Sequence, residues 1–166
     1  MDRSRAAAVL LGGLILALVT LLAVQAGLVP APWTDSHEEA RVVVRDETGQ
    51  RLAVVDARVA DTPRERRVGL GETDSLSNGS GMLFVMDGES RHVFVMRSME
   101  FPIDIVYVAA NGTVTGIQHA RAPRPGENGE ELRYPGYGKY VLEVPRGYTN
   151  ATGIDEGDRV EIEFTG

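Results

Sequence analysis

From Val42 to Phe164 the chain is cut into short β-branched runs, each closed by glycine, proline, asparagine or aspartate: "RVVVR", "LAVVDARV", "GMLFVM", "HVFVM", "IDIVYVA", "TVTGIQH", "KYVLEV" and "DRVEIEF". Runs of this length and make-up form strands, not helices. The first two flank a Thr-Gly turn and read as a hairpin. "TPRERRVGL" then supplies Thr62 as N-cap, Pro63 at the first helical position and Glu65 three residues after the cap, a capping box. A short helix over 63–70 follows, stopped by Gly69 and Gly71. "NG" at 111–112 predicts a type I′ hairpin. Residues 120–138, rich in Pro and Gly, read as a long irregular loop, and "PRGYTNATGIDEG" has room for one helical turn. Seven or eight strands with one or two short helices give a mostly β (β-rich α+β) fold, a compact antiparallel barrel or sandwich over residues 33–166.

Residues 1–32 are of another kind. Ala6 to Val29 is a 24-residue stretch without charge, roughly 36 Å as a helix against a hydrocarbon core of about 30 Å. Arg3 and Arg5 precede it, and acidic residues follow Trp33. The positive-inside rule therefore predicts one transmembrane helix with the C-terminal domain outside the cell membrane. The competing reading is secretion after signal cleavage near Ala26, in "VQAG", although this run is longer than a usual signal core. Both readings export the globular part. Asn78, Asn111 and Asn150, three of the four asparagines, each begin an N-x-S/T triplet and are candidate glycan acceptors.

The net charge of −7 argues against nucleic acid as a partner, since phosphate binding needs clustered cations. Lys139 is the only lysine beside sixteen arginines. An acidic, lysine-poor surface suits a high-salt cell such as that of a halophilic archaeon, and codon bias produces the same pattern. With no cysteine there is neither a disulfide framework nor a thiolate metal site.

Functional candidates sit in "HVFVMRSMEFPIDIVYV", residues 92–108. Alternation puts Ile103, Ile105 and Tyr107 on one face and Asp104, Val106 and Val108 on the other, a strand covered on both sides. Arg97 and Asp104 lie at strand ends beside Pro102, placing them within reach of each other at one rim of the sheet. That rim, formed by Met96, Arg97, Asp104 and Glu143, is the candidate ligand-binding site, with Arg97 to grip an anionic or sugar-like molecule. The partner is then an unknown small molecule or a surface glycan. A second reading makes Asp104 and Glu143 the carboxylate pair of a cell-surface hydrolase. A third uses Met82, Met86, Met96, Met99 and His92 as soft ligands for copper(I), against the simpler reading of those methionines as core. No resident cofactor or metal is called for.

Four segments in order carry a resemblance: "TPRERRVGLG", "GMLFVM", "FVMRSMEFPIDIVYVA" and "YVLEVPRGYTNATGIDEGDRV". The chain resembles domain-of-unknown-function family 192 over about Val42 to Phe164. It departs from the family pattern at Val68, where arginine is usual, at Gly71 for methionine, at Met99 for a small hydroxyl residue, and at Ala109 for an acid. The resemblance implies a compact β-rich fold and supplies no reaction.

Overall fold

In the computed structural model, which describes residues 38–165, the β-branched runs pair into one seven-stranded sheet. The stretch 6–29 and the boundary near residue 32 lie outside the described residues. Among the described residues, no helix is long and apolar enough to cross a membrane. The elements are β1 (Glu39–Arg45), β2 (Arg51–Ala60), α1 (Pro63–Val68), β3 (Ser80–Val95), β4 (Ile103–Val108), β5 (Val114–Ala120), a 3-10 turn (Gly129–Glu131), β6 (Arg133–Pro145), α2 (Tyr148–Thr152) and β7 (Arg159–Thr165). Across the sheet the order is β5-β4-β6-β3-β2-β1-β7.

The capping box forms as the sequence predicts. Thr62 Oγ1 accepts from Glu65 N at 3.2 Å, and Glu65 Oε2 accepts from Thr62 N at 3.0 Å. The helix ends two residues earlier than expected, because Gly69 leaves helical geometry with φ +53°. By occupying the β2–β3 connection, α1 brings β3 back parallel to β2, the one parallel pair among antiparallel ones. Neither a closed barrel nor two packed sheets results. Edge strands β5 and β7 meet at one end alone, through a Thr113–Arg159 bridge and a Val160 N to Gly112 O bond of 2.7 Å, and the sheet stays unclosed.

Both faces are covered. Val42, Val55, Leu83, Val106, Leu142 and Val144 belong to one core. Phe84, Ile103, Ile105, Tyr107 and Val141 belong to a second on the opposite face, where Leu70, Met96 and Met99 from the connections pack over them. β4 feeds both, and all six of its residues are buried, as its alternation predicted.

Three local expectations are corrected. "GMLFVM" and "HVFVM" are one strand, β3, whose pairing with β6 slips between Val85 and Ser90 where "DGES" intervenes. The supposed loop 120–138 contributes Arg133–Gly138 to β6 despite Pro135 and two glycines. There the backbone lies against β4 side chains: a Cβ on Gly136 would come within 2.3 Å of the Tyr107 ring, which is pinned by its hydroxyl donating to Tyr134 O at 2.6 Å. Glycine is placed here by close approach, a signal that turn rules misread. Finally, the 109–113 turn is not type I′, because among the described residues Ser98 alone is a non-glycine with positive φ. Gly112 N donates to Ala109 O at 2.9 Å and Gly112 takes φ +84°, the type I turn with a left-handed glycine that suits a three-residue loop.

Candidate functional site

Two polar side chains are buried in β4 and β6, and they do different things. Asp104 is wholly inaccessible, and its carboxylate accepts from Thr149 Oγ1 at 2.8 Å, Gly147 N at 2.9 Å and Thr149 N at 3.2 Å. Arg146 Nη1 at 3.0 Å and His119 Nδ1 at 2.8 Å lie on its other oxygen. Burial alone would raise its pKa. The bonds from His119 and Thr149 outweigh that and hold it below the ordinary carboxylate range. With five donors on one carboxylate, Asp104 ties the central strand β4 to the start of α2. This is an anchor, and it does not line the cleft around Glu143.

Glu143 is 5% exposed, and its register partners are Met82 on β3 and Ile105 on β4. No described residue gives its carboxyl a hydrogen bond or an ion pair. Because no fully inaccessible side-chain oxygen in the described residues lacks a partner, the remaining exposure of Glu143 opens into a cleft of about 260 Å³. Burial pushes its pKa up to about 8, so the group is mostly a neutral acid at pH 7. Phe84 and Phe94, edge to face at 4.9 Å, and Met99 form apolar parts of the wall. Arg66, Arg67 and Arg97 stand around it as well. Arg66 is committed to Val85 O at 2.8 Å and Asp87 at 3.1 Å. Arg97 is held by Glu130 at 2.5 Å and by Arg67 O at 3.2 Å, whereas the exposed Arg67 side chain makes no hydrogen bond to any described residue. In a chain of net charge −7, three guanidinium groups gather around one hollow, two of them paired with Asp87 and Glu130.

The four residues expected at one rim therefore separate. Arg97 and Glu143 share the cleft. Met96 is fully buried in the second core. Asp104 does not meet Arg97, whose carboxylate partner is Glu130. Nor does Asp104 face Glu143: Glu143 is opposite Ile105 and Asp104 opposite Val144, so the two carboxyls project from opposite faces of the sheet. The arrangement needed for a carboxylate-pair hydrolase is absent for that reason. Met82 and Met99 also pack in the second core, and His92 Nε2 lies 3.1 Å from Gly138 O. Among the described residues no group of three or more His, Cys, Asp or Glu has metal-holding geometry. Asn78, Asn111 and Asn150 are all exposed.

Sequence reading missed the partners of Asp104, because His119, Arg146 and Thr149 are distant in the chain and come from β5, the turn after β6 and α2. It also missed α1 as a wall of the cleft, although "RERR" was a visible cluster of cations. Three of the four departures from the family pattern, Val68, Gly71 and Met99, line this cleft.

The fold and cleft define a class: a small domain built on one curled, unclosed β-sheet, with a buried acid under a ring of arginines. The chain belongs to domain-of-unknown-function family 192, an uncharacterised ACR, whose pattern matches residues 43–162. Among solved structures it is similar to a candidate transcription regulator of Sinorhizobium meliloti, at 25% identity and a TM-score of 0.68, covering 76% of this chain and 95% of that one. It is also similar to a protein of unknown function from Novosphingobium aromaticivorans, at 29% identity and a TM-score of 0.66, covering 79% and 89%. No curated protein matches the sequence.

Proposed function

We propose that the domain is a small-ligand-binding module, held on the outer side of the cell membrane by residues 6–29, with the Glu143 cleft as its binding site. The observation that carries this is the Glu143 carboxyl, buried, unpartnered and opening into a hollow. An acid set among Met82, Ile105 and Phe84 with no protein partner adds little to the fold, whereas a ligand that pairs with it from the cleft gains a specific contact. The arginines indicate a ligand with an anionic end. Its size is limited by a cleft of about 260 Å³.

Small carboxylates and inorganic phosphate, titrated calorimetrically into the full-length chain, are expected to bind more weakly by about tenfold when Arg67→Ala and Arg97→Ala are combined, the worth of one charge-assisted hydrogen bond. Arg121→Ala, which removes the guanidinium paired with Glu127, serves as the control and leaves binding as it was. Equal affinities in parent and double variant would remove the cleft from consideration. For the anchor, the expected result is that the full chain stays with the membrane pellet through alkaline carbonate extraction; release into the supernatant would instead support cleavage near Ala26. The description of the Sinorhizobium neighbour does not extend to this chain: three arginines around a small hollow on an acidic domain are no footprint for a duplex.

A further inference from the structure

The cleft has two chemically distinct ends. At the buried end, the neighbours of Glu143 on its own face are Met82 across β3, Ile105 across β4 and Val141 along β6, sulfur and hydrocarbon only. At the open end Arg67 has no hydrogen-bonding partner among the described residues, and Arg97 is shared between Glu130 and a carbonyl. The charged and titratable groups around Glu143 are Tyr107 from β4, His92 from β3, Arg66 and Arg67 from α1, and Arg97 from the loop after β3. Burial pushes the Glu143 pKa up, and none of the cleft's arginines forms an ion pair with that carboxyl: Arg66 is paired with Asp87 and Arg97 with Glu130. The Glu143 carboxyl faces the cleft, where a bound ligand can reach it.

We infer that the ligand is a small zwitterion, an ω-amino acid or a molecule of that pattern, with its ammonium seated on the Glu143 carboxylate and its anionic group at Arg67 and Arg97. This rests on the binding reading above and specifies it. The two ends choose the ammonium over a neutral hydroxyl: a carboxyl at the floor and guanidinium groups at the mouth complement a molecule that carries a cation at one end and an anion at the other. Removing the ammonium from water has its own penalty, which the grip of the arginines on the other end must offset. In the binding step the Glu143 O–H bond breaks, its proton goes to buffer, and the carboxylate accepts N–H bonds from the ammonium. Affinity therefore rises with pH and levels off near the Glu143 value.

The test compares β-alanine, γ-aminobutyrate and ε-aminocaproate with propionate, butyrate and caproate, the same acids without the amine, by calorimetry on the full-length chain at pH 6.5 in two buffers of different ionisation enthalpy. At least one amino acid is expected to bind about tenfold tighter than its amine-free counterpart and to release close to one proton. Glu143→Gln, which keeps the shape of the site, abolishes both the preference and the proton release. If the amine-free acids bind as well or better, and Arg67→Ala with Arg97→Ala weakens them, the zwitterion inference is overturned while the binding reading stands. If neither series binds, both are overturned.

Discussion

Asp104→Asn is expected to lower the free energy of unfolding by about 3–5 kcal/mol, the range for breaking a buried, hydrogen-bonded ion pair by removing one partner. The geometry explains why so conservative a change is so damaging. Oδ2 receives Gly147 N, Thr149 N and Thr149 Oγ1, while Oδ1 faces Arg146 and His119. An amide has one oxygen, so whichever way the substituted side chain is turned its NH₂ confronts either three donors or a guanidinium. The lost charge also leaves Arg146 without its anion. In the parent, the folded-state pKa of Asp104 lies below its unfolded value. Its contribution is therefore present at neutral pH and is lost as pH falls below the ordinary aspartate value towards the folded one. Urea titrations at pH 7 and pH 3 check both points: the gap between parent and variant is wide at pH 7 and narrows at pH 3. His119→Gln, which removes a partner with 40% of its side chain exposed, lowers stability by under about 1 kcal/mol. A variant within that same margin at Asp104 would show that the node is not what ties β4 to α2.

What the sequence made legible was whatever depends on neighbours in the chain. The capping box at Thr62–Glu65, the strand runs and the two-sided burial of β4 all follow from residues a few positions apart, and all are present. What failed depends on contacts between distant segments. Residues 133–138 carry Pro and Gly because their backbone lies on Tyr107 and Val108 of β4, and no local rule distinguishes a glycine demanded by close packing from one that makes a turn. The Arg97–Asp104 pairing was inferred from nearness in the chain around Pro102. Register decides otherwise: Arg97 turns towards the Gly129–Glu131 turn and Asp104 towards Arg146, which lies just past the end of β6. Glu143 was expected at the rim as a second carboxylate beside Asp104, and its face could be assigned only once its pairing with Ile105 was known.

Glu143→Gln is expected to stabilise the protein, and increasingly so with pH: by under about 1 kcal/mol at pH 5, about 3 at pH 7 and about 5 at pH 9. The sign follows from the direction of the shift. Burial raises the folded-state pKa from the ordinary 4.5 to about 8, so the contribution of Glu143 is intact below about pH 4.5, declines above it, and is lost as pH rises through about 8. Above that pH the folded chain must hold an ionised carboxyl among Met82, Ile105 and Phe84 with no cation to pair it. The amide keeps the shape and never ionises. Denaturant titrations across pH 5–9 measure the widening gap, and parallel curves for parent and variant would mean that a counter-charge already reaches the acid. The size of the effect is what connects stability to purpose. Whole domains are stable by only about 5–15 kcal/mol, and a group that removes some 3 of these at pH 7 sits where methionine or leucine would pack at no such penalty. An uncompensated acid persists in such a place when something outside the chain completes it. A bound cation at the cleft floor would lower the folded-state pKa, return the lost stability, and make the ligand-bound protein, unlike the free one, insensitive to pH between 6 and 9.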